Sequence, residues 1–172
     1  MDYCKKRGIK NIFNSTLEDF NGSNLNIQAL TLLDVIEHIE NDFSVIKNAN
    51  RVLGKDGWLL VTVPAFQWLW SKHDVLVMHQ RRYSKKQLVN LLSSAGFQVE
   101  YSSYFNFFLF IPAVIKRFLN EHFVKEVNIE SVEEVPDFLN TIFKNIFAFE
   151  SKVLQKMKFP FGLSIIAIAR KK

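Results

Sequence analysis

The chain has little of what staples, hinges or anchors a fold. Only one of its 172 residues is cysteine, Cys4, which excludes an internal disulfide framework and a cysteine-based zinc cluster. A lone thiol suits a reducing compartment, so the expected location is the cytoplasm. The six glycines, Gly8, Gly22, Gly54, Gly57, Gly96 and Gly162, form neither G-x-G nor a phosphate-loop spacing. Any nucleotide-like ligand must therefore be held without a glycine-rich loop from this chain. Long apolar runs are missing too. Residues 107–115 are the longest, are interrupted by Pro112, and reach about half of what a bilayer demands. Met1–Arg7 leads into no apolar stretch of the kind a signal peptide needs. The expectation is a soluble protein that at most touches a membrane surface.

Charge of one sign is also scarce. Lys and Arg number 22 against 17 Asp and Glu, a net +5, with much of the excess in Lys5-Lys6-Arg7 and Arg170-Lys171-Lys172. No basic stripe with interleaved aromatics appears, so no nucleic-acid partner is expected. What the chain does have is apolar mass: 48% hydrophobic residues and 17 phenylalanines. That buries a core and excludes disordered, collagen-like and coiled-coil classes. The length suits a single domain over residues 1–172.

Strand-like and helix-like patterns alternate. Asp2–Arg7 reads as a helix end stopped by Gly8. Ile9–Phe13, Ile27–Leu33, Trp58–Val63, Phe97–Tyr104 and Ser164–Ala169 read as strands of one sheet. Polar residues around Asn21-Gly22-Ser23 read as a loop. Asp34 and Glu37 have the spacing of a capping box, which predicts a helix start at Asp34. Ser84 and Gln87 repeat it before Leu88, Leu91, Leu92 and Ala95, and Gly96 closes that helix. Phe107–Phe123 and Pro136–Met157 are helical in period, with the charged segment Lys125–Glu134 between them. Strands alternating with helices predict an α/β fold with a mostly parallel sheet.

The residues then take on a family likeness. Leu33-Asp34-Val35-Ile36-Glu37-His38-Ile39, Arg51–Trp58 and Val61-Thr62-Val63-Pro64 resemble the class I S-adenosylmethionine-dependent methyltransferases. Leu69–Asp74 and His79–Ser84 resemble, within the type 11/12-like members, a bacterial subgroup associated with cell-surface glycan or lipid pathways. The resemblance covers about residues 1–110 and 159–172. It implies a partial Rossmann-like fold whose last strand is antiparallel, with a helical insertion over residues 107–160 serving as a lid. It also implies S-adenosylmethionine as cofactor and methyl transfer to a small-molecule, glycan or lipid-linked acceptor. The family's first strand, D-x-G-x-G loop and ribose-binding acid have no counterpart here. The expectation is a chain that starts after the family's second strand and binds the cofactor weakly by itself.

Carried over residue by residue, Ser15, Thr16 and Leu17 fall where the family holds adenine, and Leu33 and Asp34 beside the reactive centre. Thr16 stands where the family commonly has an acid, and Gln28 where an aspartate is common. His38 and His79 are the candidate general bases. Trp70, Arg81, Arg82 and Tyr83 are the candidate acceptor contacts, an arginine fork being suited to phosphate or carboxylate. Each has a plainer reading. Asp34 and Glu37 can be caps, His38 a hydrogen-bonded structural histidine, one arginine the ion-pair partner of Asp74, and the tryptophans packing. Asp34, Glu37 and His38 share a helical face, but no second cluster at ligand spacing supports them, so no metal is expected. The rival to an enzyme is a non-catalytic remnant that self-associates through an unpaired sheet edge. A module that rests its Phe-rich helices on a membrane is the third reading.

Overall fold

The computed structural model describes residues 2–20, 25–123 and 136–172. The loop expected at Asn21-Gly22-Ser23 and the segment Lys125–Glu134 lie outside these residues. Four strands form one sheet: β1 (Ala29–Leu33), β2 (Trp58–Pro64), β3 (Phe97–Phe105) and β4 (Ser164–Lys171), in the order β1-β2-β4-β3. β1 runs parallel to β2, while β4 is antiparallel to both β2 and β3. Strands β1, β2 and β3 therefore point the same way, and the last strand opposes them, as expected.

The core lies on one face of this sheet. Leu59, Val61 and Val63 of β2 oppose Ala169, Ala167 and Ile165 of β4, and all six are fully buried. Period-two alternation puts them on the same side. Helix α2 (Asp42–Val52) brings Ile46 and Ala49 onto that face, and helix α4 (Lys85–Ser94) brings Leu88 and Leu92. The α4 capping box forms: the Ser84 amide donates to Gln87 Oε1 at 2.8 Å and the Gln87 amide to Ser84 Oγ at 3.3 Å. Gly96 follows the helix at φ 95°, where a Cβ would be strained.

Three expectations fail. Ile9–Phe13 is not a strand. It follows the short helix α1 (Asp2–Lys6), and Phe13 stays largely exposed. No further strand among the described residues lies beside β1 to pair with it, and a strand without a partner is not stable. Ile27–Leu33, read as a covered strand, is instead the sheet edge with Leu33 53% exposed. Asp34 and Glu37 do not cap a helix. Asp34 takes a left-handed backbone (φ 52°) while its amide still donates to Thr62 O at 3.1 Å, continuing the pairing with β2. A 3₁₀ turn, Ile36–His38, follows, and α2 begins only at Asp42, capped by Asn41, which accepts from the Ser44 amide at 3.1 Å. Holding the ladder one residue longer has swung Glu37 into the interior.

Helices α5 (Phe110–Phe123) and α6 (Asp137–Leu154) occupy the expected insertion. Helix α6 is tied to β3 by Glu150, whose carboxylate accepts from the amides of Asn106, Phe107 and Phe108, and by Tyr101, which donates to Leu154 O at 2.9 Å. A second short helix, α3 (Lys72–Leu76), lies between β2 and α4, and the phenylalanine surplus finds its use near the sheet. Phe66, Phe107, Phe110, Phe159 and Phe161 join Tyr104 in a run of ring contacts with centroids 4.7 to 5.8 Å apart. Phe108 meets Phe149 at 5.7 Å, yet Ile111, Ile115, Phe138, Ile142 and Phe147 face outward. Among the described residues, the two helices thus present these apolar side chains to solvent.

Candidate active site

All three like-directed strands leave the sheet at the same end through strained residues. Asp34 after β1, Phe66 shortly after β2 and Asn106 after β3 have φ of 52°, 59° and 58°. Such left-handed non-glycine residues each cost about 1–3 kcal/mol and gather where function holds them. Between them lies a cavity of about 340 Å³ lined by Asp34, Glu37, Pro64, Asn106, Arg117 and Ser164. His73, His79 and Arg82 reach it from the segment between β2 and α4. Open α/β sheets place ligands at this end.

That segment is organised around Asp74, which is fully buried. Its Oδ2 accepts from the Ser71 amide at 2.9 Å and the Ser71 hydroxyl at 3.1 Å. Its Oδ1 meets Arg82 Nε at 2.7 Å and His79 Nδ1 at 2.9 Å. Arg117 Nη2 lies 3.5 Å away. Burial alone would raise this carboxyl, but the bonds from Arg82 and His79 outweigh burial and hold it at about 2 against an ordinary 3.8. An ionised carboxylate only accepts, so the Nδ1 of His79 is the donor to Asp74 and Nε2 is the ring nitrogen left outside that bond.

Glu37 is the opposite case. It is 0% exposed, and neither carboxylate oxygen has a hydrogen-bond partner among the described residues. Burial pushes it up to about 7 from 4.5 and the charge of Asp34 adds to this, while the pull of its own backbone amide, which lies too far off line for a proper hydrogen bond, and the charges of His38 and Arg82 offset only part. The nearest imidazole nitrogen, His38 Nε2, is 4.0 Å from Glu37 Oε1. The His38 and His79 rings meet edge to face at 4.6 Å, so the two candidate bases share one spot.

The candidate acceptor contacts fare differently. Arg82 is buried and committed to Asp74 and to Ala65 O at 3.1 Å, so it positions the loop and does not offer a free fork. Arg81 reaches Asp42 Oδ2 at 3.1 Å and Glu40 O at 2.7 Å. Tyr83 is buried and donates to Asp42 Oδ2 at 2.7 Å. Burial first, then that hydrogen bond, pushes its phenol well above the usual range. All three make contacts within the fold. Trp70 is half-buried in a small crevice beside Arg117 and Phe118.

The residues matched to adenine contact lie in a second cleft, also about 340 Å³. Its walls are apolar, with Phe13, Leu17, Phe20, Ile27 and Leu30, and Ser15 and Thr16 are its polar members. Thr16 is engaged locally, donating to Asp19 Oδ2 at 2.8 Å. Leu33 sits on the exposed β1 edge and Asp34 in the first cavity. Sequence reasoning named Asp74 only as an arginine's ion-pair partner, without its place at the centre of the loop, and missed Glu150. Ser71-x-x-Asp74 has the form of a capping pair and signalled the first, whereas nothing in the apolar stripe of α6 marked the second.

No family model matches the chain, and no curated protein matches it. Solved structures do. The chain superposes with 99% of its length on the [4+2]-cyclase SpnF, at TM-score 0.53 and 18% identity, covering 61% of that chain. A SAM-dependent methyltransferase from Thermotoga maritima matches at TM-score 0.54 and 16% identity, over 99% of this chain and 68% of the other. The fold is thus that of the class I S-adenosylmethionine-dependent methyltransferases, and the chain spans about 61% of the length of SpnF. A cyclase among the neighbours illustrates that this fold does not by itself dictate the reaction.

Proposed function

We propose that this chain is the acceptor-side part of an S-adenosylmethionine-dependent methyltransferase for a small-molecule, glycan or lipid-linked acceptor. The observation that carries this reading is the cavity at the carboxyl ends of β1, β2 and β3, with His79 in its wall and the His38 ring against His79 at 4.6 Å.

S-adenosylmethionine fits these residues in part. The apolar cleft by Ser15, Thr16 and Leu17 suits a flat adenine ring, and Asp34 adjoins the reactive end. Nothing described here suits the amino-acid end, for which the chain has no glycine-rich loop, and β1 pairs on one side only. When bound, the cofactor supplies an electrophilic methyl group. The chain's own residues supply alignment, which can remove several kcal/mol of barrier. An oxygen or nitrogen acceptor must also lose a proton, and the His38–His79 pair stands where it can receive one.

Calorimetry with S-adenosylmethionine tests this. Residues 1–172 should bind it weakly, whereas a version extended before Met1 by a methyltransferase strand and D-x-G-x-G loop should reach the micromolar range, about −8 kcal/mol. Tight binding to the 172-residue chain would remove the claim of an incomplete site. Absence of binding in the extended version would remove the methyltransferase reading. The outward apolar residues of α5 and α6 favour a second reading, contact with a membrane surface, which liposome flotation decides.

A further inference from the structure

We infer that Glu37, His38 and His79 form a binding site for a first-row divalent metal ion of the zinc, cobalt or manganese type. One ligand atom from each residue lies within 4.8 Å of the others. Two imidazoles and one carboxylate are the donors such ions take, and three protein ligands leave further positions open.

The three side chains are held for this task by their surroundings. The Nδ1 of His79 is tied to Asp74 at 2.9 Å, which leaves Nε2 outside that bond. Metal-bound histidines characteristically have such a carboxylate behind them, and Asp74 is itself fixed by Ser71 and Arg82. The Gln80 amide donates to Glu37 O at 2.7 Å, which locks the His79 loop against the turn that carries Glu37 and His38. His38, with 37% of its side chain exposed, opens a route from solvent.

Glu37 is the independent observation. Its carboxylate is fully buried and both oxygens lack a partner among the described residues. Buried polar groups are nearly always satisfied, and an unpaired one is costly. A cation between Glu37 and the imidazoles would be the missing partner. Ligand atoms of a tetrahedral site with bonds of about 2.0–2.1 Å lie about 3.3 Å apart, so closure asks the farthest atoms to approach by roughly 1.5 Å.

The site does not depend on methyl transfer, and its test needs no S-adenosylmethionine. The metal-stripped chain is titrated with Co²⁺, followed by visible absorption, and with Zn²⁺ by equilibrium dialysis. The expected result is one ion per chain with a Kd at or below the micromolar range. His38→Ala and His79→Ala should each weaken it by about 100-fold, Glu37→Gln by at least about tenfold, and Asp74→Asn by about tenfold. Cys4→Ser should leave it unchanged, since the lone thiol is no part of the site. His38 is partly exposed, so His38→Ala keeps the test decisive if His79→Ala fails to fold by circular dichroism. Absence of stoichiometric binding, or binding that survives His38→Ala, overturns the inference.

Discussion

Asp74→Asn is the substitution that most directly probes how the cavity wall is built. The carboxylate is fully buried and accepts four contacts, from Ser71 N and Oγ, Arg82 Nε and His79 Nδ1, with the Arg117 guanidinium 3.5 Å away. The amide keeps the shape but removes the charge, which leaves Arg82 buried without a counter-ion. Breaking a buried pair in this way costs about 3–5 kcal/mol. At about 2–4 °C per kcal/mol for a chain of this size, Tm should fall by about 10 °C. Urea unfolding followed by circular dichroism measures the loss. The double variant Asp74→Asn with Arg82→Met removes both charges, and should recover at least half of it. If Asp74→Asn costs under about 1 kcal/mol, or the double variant is no better than the single one, the pair is not the organising element of this loop.

Three other outcomes follow from the geometry. Tyr83 prefers its neutral form in the folded state, so stability should be unaffected below its ordinary value of 10.0 and fall as pH rises beyond it. Tyr83→Phe should abolish that alkaline fall in urea titrations, while losing the bond to Asp42. Gly162→Ala places a Cβ 2.2 Å from Phe105 O, backbone that cannot step aside, and should destabilise by about 1–3 kcal/mol in thermal unfolding. Glu150→Ala strands the amides of Asn106 and Phe107 and should cost about 3 kcal/mol, with Glu150→Gln retaining part, by the same unfolding assay.

The elements that were legible in the sequence are those whose pattern is local. The α4 capping box, the Gly96 stop and the buried strands β2 and β4 carry their own signals in spacing and period. What stayed hidden depends on pairing across the chain. Ile9–Phe13 has strand composition, but composition does not supply a neighbouring strand. Asp34-x-x-Glu37 has capping spacing, yet the bond from Asp34 to Thr62 won over the local cap, a contact across 28 positions. Arg82 matched a binding motif and turned out to be the ion-pair partner of Asp74, one of the two plain readings its spacing allowed. The shared position of His38 and His79 likewise required the fold, because 41 positions of chain separate them.

Glu37 in the cavity wall and Asp74 behind it show opposite ways of living with burial. Asp74 collects donors on both oxygens, and its carboxyl is held far down the acidity scale. Glu37 collects no donor from another of the described residues, and burial holds its carboxyl far up. A fold selected for stability alone would accept an apolar residue at Glu37 with little penalty, since removing an unpaired buried acid is neutral or favourable. It would have less reason to hold His38 and His79 against each other at 4.6 Å, or to back one of them with a buried carboxylate. Glu37→Gln separates the two demands. In the metal-free chain it should leave stability unchanged or raise it, because a neutral amide is cheaper to bury than a carboxylate. In the same protein it should cut Co²⁺ affinity by at least about tenfold. A loss of stability with metal affinity intact would mean that Glu37 serves the core, and that the imidazole pair beside it stands alone.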